Sequence, residues 1–268
     1  MTVIGDTNNH RVVASADESY IELIDTIIKH GCIAGPRGMI TSELFGLAQE
    51  FPMNAPVILN PFRGLNYSFM AGEAIWMLNG SNTVSDIAPF LERMKDYSDN
   101  GHVFFGAYGP HILRQWDYIK QKLSDDSESR QAVISIWQER PPNSRDVPCT
   151  LSLQFTIRNE VLHCHAFMRS SDVYLGLPYD IFNFSMISAK LAAELGLTLG
   201  NLYWHAGSAH IYHSNIEKAS TCTAYRCEFG ERFIPESVAA DSELLMQTLE
   251  SVALKRNDGC DWVRGEWL

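Results

Sequence analysis

The 268 residues are 46% apolar and 20% charged, the composition of a globular protein with a sizeable core, which excludes disordered and fibrous architectures. With 21 basic against 32 acidic residues the formal charge is -11. This argues against a nucleic acid polymer or a membrane surface as partner, yet leaves room for a small anion held by a few arginines. No apolar run approaches the ~18 residues that span a bilayer, and the polar start Met1 to His10 lacks signal-peptide regions, so a cytoplasmic setting is expected. The six cysteines (Cys32, Cys149, Cys164, Cys222, Cys227, Cys260) are dispersed without a C-x-x-C pair, which suggests neither a disulfide framework nor a zinc ribbon. At roughly 100 to 200 residues per domain, the chain reads as one domain over 1–268.

From Ser15 a helix is predicted, since Tyr20, Leu23, Ile24, Ile27 and Ile28 fall at helical spacing, with Asp17 and Glu18 in the first turn and Gly31 past the end. Gly35-Pro36-Arg37-Gly38 reads as a loop. A second helix is expected from Tyr67 to Asn79, stopped by Gly80, with Phe69, Glu73 and Trp76 close to one face. A third runs from Ser85 to Tyr97 on the stripe Ile87, Phe90, Leu91 and Met94. After the glycine-punctuated stretch Asn100 to Gly109, a helix from Ile112 to Leu123 precedes the polar loop Ser124 to Ser129. Ala132, Ile134 and Ile136 suggest a strand. Cys149 to Ile157 and Val161 to Arg169 alternate around Arg158-Asn159-Glu160 as a hairpin. Past Asp180, the run Ile181, Phe184, Ile187, Leu191 and Leu195 before Gly196 predicts a largely buried helix, and Cys222 to Phe229 reads as a strand. Interleaved helices and strands without repeat or linker favour one α/β or α+β fold.

Between Arg130 and Tyr212 the sequence carries Asp146-Val147-Pro148-Cys149-Thr150, Gln154-Phe155, Met168-Arg169-Ser170-Ser171-Asp172, Leu175-Gly176-Leu177-Pro178-Tyr179-Asp180 and Gly207-Ser208-Ala209-His210-Ile211-Tyr212. With Gly72-Glu73, Trp76, Gly106-Ala107-Tyr108-Gly109 and Ser129-Arg130 upstream, these resemble the thymidylate synthase family in order and spacing over roughly residues 30 to 215. The resemblance implies a mixed twisted sheet packed with helices, a homodimer joined through its sheet, and transfer of a one-carbon unit from 5,10-methylenetetrahydrofolate to carbon 5 of a pyrimidine nucleoside monophosphate, without a metal. A pyrimidine is a poor nucleophile at carbon 5, and addition of a thiolate to carbon 6 makes it enolate-like. Cys149 is the implied thiolate. The phosphate would be gripped by Arg37, Arg169 and Ser170, with Arg130 reaching over from a second subunit, since guanidinium forks suit phosphate oxygens. Glu73 is the implied proton-moving carboxylate and Tyr108 a tyrosine near the nucleophile. Asp172 matches the pterin-binding aspartate, beside Trp76 and Gly176 on the folate side. His210 and Tyr212 match the pair that holds the sugar hydroxyl.

Several departures from the family pattern bear on the substrate. Gln131 replaces a second intersubunit arginine, and Gly-Pro-Arg-Gly departs from the usual phosphate loop. Asp180 stands where thymidylate synthases have the asparagine that meets uracil, and phage deoxycytidylate hydroxymethylases share this change. A carboxyl group can accept from the exocyclic amine of cytosine and, when protonated, donate to ring nitrogen 3. The competing role for Asp180 is a cap on a helix starting at Ile181. The stretch Arg93 to Gly101 has Tyr97 but no tryptophan, the nucleophile is followed by Thr150 instead of histidine, and the final Gly265-Glu266-Trp267-Leu268 lacks the usual apolar tail. A less sealed site would admit water and yield a hydroxymethyl product with tetrahydrofolate. Hydroxymethylation of a ribo or deoxyribo cytidylate is therefore expected, with reductive methylation of a cytidylate, thymidylate synthesis, and nucleotide binding without catalysis as alternatives. Two further readings stay open: a metal site among His163, His165, His205, His210 and His213, and a Cys149–His210 hydrolase dyad.

Overall fold

The computed structural model describes residues 14–139, 141–224 and 231–255. Its centre is a six-stranded mixed sheet in the order β1-β2-β6-β5-β4-β3. The strands are β1 (Cys32–Ala34), β2 (Thr41–Pro52), β3 (Val133–Ser135), β4 (Thr150–Arg158), β5 (Val161–Asp172) and β6 (Thr198–Tyr212). All neighbours pair antiparallel except β5 and β6, which run parallel with Met168 opposite Ala206 and Asp172 opposite His210. A parallel pair needs a crossover, and the crossover here is α5 (Leu177–Leu195), packed on both strands it joins.

The other helices are α1 (Ala16–His30), α2 (Tyr67–Leu78), the short α3 (Val84–Ile87), α4 (Gly109–Asp125), α6 (Ile216–Ala224), α7 (Glu236–Ala239) and α8 (Ser242–Ala253). α1 packs on β2 and α6, α4 on β3, and α2 is held between α5 and α8. Trp204, Phe155, Phe182, Phe184 and Met70 are fully buried in one apolar cluster. Each is worth about 1.5–3 kcal/mol of transfer energy. Among the described residues no helix is long and apolar enough to cross a membrane.

Local chemistry explains the ends of these elements. Ser15 and Glu18 form a reciprocal capping box at α1, the Ser15 hydroxyl accepting from Glu18 N at 3.2 Å and Glu18 Oε2 from Ser15 N at 2.9 Å. Asp17 turns inward, where its two oxygens accept from Leu59 N and Asn60 N at 2.7 and 2.8 Å and pin the approach to α2. Burial pushes that carboxyl up to about 6, against the pull of the two backbone bonds. In the β4–β5 hairpin, Asn159 and Glu160 both have positive φ, 51° and 63°, the two-residue turn whose twist suits the flanking strands.

The structure corrects the sequence reading in three places, and adds two strands that it did not read. The helix expected from Ser85 to Tyr97 is broken: α3 ends at Ile87 and a 3-10 segment takes over at Glu92–Tyr97. Cys222 lies on helix α6 instead of a strand, and 225–229 of that expected strand fall outside the described residues, as do Gly265 to Leu268. Strands β2 and β6 carry no clean alternation. In β6 the buried positions are Leu202, Trp204 and Ala206, then Ala209 and Ile211, so the period breaks at Gly207-Ser208. Helix α5 starts at Leu177, not Ile181.

Gly72 shows how tightly α2 is set. A β-carbon there would lie 2.5 Å from Phe90 Cδ2, in the segment between α3 and the 3-10 turn. Gly72→Ala is expected to lower stability by about 1–3 kcal/mol, as overpacking does, despite the better helix propensity of alanine. Urea denaturation followed by circular dichroism checks this; an unchanged midpoint would show that Phe90 moves aside freely.

Candidate active site

The sequence motifs converge where β5 and β6 end and β4 begins. Cys149 immediately precedes β4, and Arg169 N donates to its carbonyl at 2.9 Å, which lays the cysteine beside the Arg169-Ser170 segment of β5. Arg169 Nη2 and Ser170 Oγ each lie 3.6 Å from Cys149 Sγ as donors. Two donors, one of them cationic, thus reach the sulfur. The same guanidinium donates to Pro148 O at 2.9 Å, Val147 O at 3.0 Å and Ser170 Oγ at 3.1 Å, and lies over the Trp137 ring at 5.9 Å. It therefore shapes the loop that presents the cysteine. Among the described residues no imidazole bonds to Cys149 Sγ, so the Cys149–His210 dyad has no hydrogen bond behind it.

The loop is braced from its other side. Asp146 Oδ2 accepts from Gly106 N at 2.7 Å, and a β-carbon at Gly106 would come within 2.8 Å of Asp146 O, so that approach requires glycine. Two residues on, the Tyr108 hydroxyl oxygen accepts from Thr150 N at 3.2 Å and Thr150 Oγ1 at 3.0 Å. Thr150, in place of histidine, thus holds the tyrosine beside the cysteine. Burial raises the Tyr108 pKa, followed by the negative charge of Asp180 and of Cys149, which puts all three in one electrostatic neighbourhood.

Acids line the rest of the site. Glu73, on α2, accepts from Asn183 Nδ2 of α5 at 2.7 Å. The surrounding protein pushes its carboxyl up to about 7, the amide bond pulling the other way. Asp180 is raised well above the ordinary carboxylate range, first by burial, then by the charges of Glu73 and Asp172. Gly176 is the residue that caps α5, and Asp180 N already bonds back to Gly176 O at 3.0 Å. Asp180 sits inside the first turn, so the capping role is overturned. Asp172, at the end of β5, accepts from Tyr174 N and Leu175 N on its Oδ1 at 3.1 and 2.9 Å and from Gly176 N on its carbonyl at 2.9 Å. Among the described residues its Oδ2 has no hydrogen bond, and burial raises its pKa.

The remaining predicted residues lie around this centre. His210, opposite Asp172 in the β5–β6 register, has its ring 5.2 Å from Tyr212, and burial lowers its pKa against the pull of Asp172. Arg37 is exposed and left-handed at φ 55°, near enough to His210 to depress its pKa. Arg130 is exposed between α4 and β3, its carbonyl accepting from Gln154 Nε2 at 2.9 Å. Trp76 is buried, its indole N–H on Thr83 O at 3.2 Å and its ring edge-to-face with Phe104 at 5.5 Å, so it packs the wall behind Glu73. His163, His165 and His205 stack with Tyr203 and Phe167, and among the described residues no three His, Cys, Asp or Glu side chains are grouped to hold a metal.

Three residues of the site were not found by sequence reasoning. Asn183 was hidden within an apolar helix run. Trp137 was read only as a strand residue. Arg63, just before α2, is buried with Nε on Tyr174 O at 2.7 Å and Nη2 on Leu175 O at 2.8 Å, between the rings of Tyr174 and Tyr179. A buried arginine offsets part of the cost of the nearby carboxyls, and Arg63 lowers the pKa of Asp172.

The chain is similar to known proteins. The chain is 26% identical over 215 residues to the thymidylate synthase of Buchnera aphidicola subsp. Baizongia pistaciae, covering 75% of this chain and 81% of that protein. It is 27% identical over 219 residues to the thymidylate synthase of Buchnera aphidicola subsp. Schizaphis graminum, at 75% and 81% coverage. It is also 29% identical over 216 residues to the deoxyuridylate hydroxymethyltransferase of Bacillus phage SP01, covering 72% of this chain and 56% of that longer protein. The family profile described as thymidylate synthase matches residues 18–228, most of the chain and all of the sheet that carries the site, and the protein belongs to the thymidylate synthase family.

Proposed function

We propose that the protein hydroxymethylates carbon 5 of a cytidine monophosphate, ribo or deoxyribo, using 5,10-methylenetetrahydrofolate and releasing tetrahydrofolate. The observation that carries this reading is Asp180: it lies beside Glu73 and Tyr108, burial raises its pKa well above the ordinary carboxylate range, and when protonated it offers one donor and one acceptor to a base. A neutral acid donates to ring nitrogen 3 of cytosine and accepts from its amine. Cys149, with Arg169 and Ser170 at its sulfur, is the nucleophile for carbon 6. Glu73, at about 7, is poised to move protons near neutral pH.

The folate, when bound, supplies the one-carbon unit. Asp172 fits a pterin, since its Oδ1 is fixed by two backbone bonds while Oδ2 is left for a donor; Trp76 and Gly176 complete that side. Arg37, Arg169, Ser170 and the partner copy's equivalent of Arg130 bind the phosphate, and His210 with Tyr212 holds the sugar. A hydroxymethyl product follows from water reaching the transferred carbon. Support for that comes from the open 3-10 segment Glu92–Tyr97, where Tyr97 is 44% exposed and the segment itself holds no tryptophan. A homodimer is supported by the apolar residues left exposed on β1, β2 and the turn between them: Ile33, Met39, Ile40 and Phe45.

A second reading is hydroxymethylation of a uridylate, favoured by the name of the SP01 relative and by the freedom of a neutral acid to carry its proton on either oxygen. Mass spectrometry of the products formed from CMP, dCMP, UMP and dUMP with the folate separates the two. Hydroxymethylated cytidylate is expected; a uridylate product, a methylated product or no turnover would each overturn the reading. Asp180→Asn should shift the kcat/KM ratio toward uridylate by about 10²-fold or more, because an amide turns to meet either edge, whereas a carboxyl group pairs with cytosine when protonated and opposes the uracil oxygen when ionised. An unchanged ratio in a folded variant removes the main support.

Incubation with a 5-fluorinated nucleotide and the folate should add both masses to the intact wild-type protein, since fluorine blocks release at carbon 5. Cys149→Ser should form no such adduct and lose turnover by about 10³-fold or more. Persistence of the adduct in that variant would place the nucleophile elsewhere.

Mixing inactive Arg130→Ala subunits with inactive Cys149→Ala subunits should restore activity toward one quarter of wild type or less, because one site in each hybrid dimer regains both groups. No recovery despite demonstrated subunit exchange would count against a shared phosphate site.

A further inference from the structure

Glu73 is reached by one side chain that no motif contains. Asn183 lies one turn beyond Asp180 on α5, is 1% exposed, and donates from Nδ2 to Glu73 Oε2 at 2.7 Å. Its other polar atom, Oδ1, finds no hydrogen-bond donor among the described residues although it is buried. A buried amide oxygen left unpaired costs about 1–3 kcal/mol, and its neighbours on either side along the helix, Ile181, Phe182, Phe184 and Ser185, are all fully buried. The surroundings would favour an apolar residue at this position. An amide kept there, bonded through one atom to a half-buried carboxylate and unpaired through the other, points to a partner that arrives with the reactants.

We propose that Asn183 is the positioning residue of Glu73: its amide N–H fixes the carboxylate, and its amide oxygen receives a hydrogen of the water that attacks the transferred carbon. The inference rests on the hydroxymethylation reading and assigns the water of that reaction to a place. In the step it serves, the water oxygen bonds to the exocyclic methylene carbon at carbon 5, and one water proton passes to Glu73. The exocyclic π pair moves into the ring, the carbon 5–carbon 6 double bond forms, and the carbon 6–sulfur bond breaks to return the Cys149 thiolate. The charge on Glu73 leaves with the thiolate, so no oxidant or reductant is needed. An amide is suited to both ends: it donates to a carboxylate and accepts from water, which neither a carboxylate nor an aliphatic side chain does.

Asn183→Asp keeps the shape and removes the donor; Asn183→Leu removes both functions; Asn183→Ser keeps a shorter donor and acceptor. Product formation in the aspartate and leucine variants should fall by about 10²-fold, the size of a general-base contribution, with the KM for the nucleotide changed less than about threefold. The adduct with the 5-fluorinated nucleotide and folate, which forms before water is needed, should still form. Activity is lost as Glu73 is protonated on the acid side, and the Asn183 bond lowers the Glu73 pKa, so its removal should move the acid limb of the kcat profile to higher pH. Serine should restore part of both effects. Equal loss of adduct formation and turnover, an unmoved acid limb, or full kcat in the aspartate variant would overturn the assignment. If leucine prevents folding, the aspartate and serine variants carry the same test. Should the wild-type product prove to be methylated, the reading fails on its own, while the pH limb of that turnover still decides whether Asn183 governs Glu73.

Discussion

The parallel pairing of β5 with β6 is the constraint on which the rest of the site depends. In an otherwise antiparallel sheet it requires a crossover, and the connection is the 19-residue helix α5. Because the two strands run the same way, their C-terminal ends fall side by side, and Asp172 comes opposite His210. Because the crossover begins at once after β5, the first turns of α5 stand over those ends and bring Asp180 and Asn183 to them. Antiparallel β4 then starts where β5 finishes, which lays Cys149 against Arg169. One topological choice thus gathers four separated sequence motifs.

The site concentrates carboxyl groups that the protein partly removes from water. Glu73, Asp172 and Asp180 are all shifted upward, burial being the first cause in each, and Glu73 and Asp172 add to the cost of ionising Asp180. The protein offsets this unevenly. Asp172 has two backbone N–H bonds and the Arg63 charge; Glu73 has one amide; Asp180 has nothing comparable among the described residues and is raised well above the ordinary carboxylate range. This gradient gives three chemically different groups from one functional type. On the cysteine side the charge balance is reversed, with Arg169 spending its donors on the loop carbonyls and on sulfur.

Rigid surroundings keep these groups in place. α2 carries Glu73 between α5 and α8, and its glycine at 72 meets Phe90 closely enough to fix the helix face. Asp146 ties the cysteine loop to the glycine turn before α4, and Thr150 holds Tyr108 from the strand that follows the cysteine. Preorganisation of this kind reduces what must be ordered when reactants bind.

Much of the local structure was legible in the sequence. α1, α2 and α4 appear as amphipathic or capped runs, and the β4–β5 hairpin as two alternating segments around a turn, because each signal is contained within neighbouring residues. The family motifs likewise marked Cys149, Glu73, Tyr108, Asp172, Asp180 and His210 as residues to be brought together. Where burial depends on distant partners the sequence was silent or misleading. β2 and β6 lack a steady period since their exposure is set by what covers each end of the sheet, and the apolar stripe from Ile87 to Met94 serves a turn and a short 3-10 segment packed on α2. A helix cap stayed open as the competing role of Asp180 until Gly176 took that place, and Asn183 was indistinguishable from its apolar neighbours until α2 set Glu73 against it. The sequence by itself determined the fold class and the reactive inventory; the tertiary structure alone decided which acids are held by hydrogen bonds and which are pushed upward by burial, because a pKa depends on burial and on charges that only folding brings within reach.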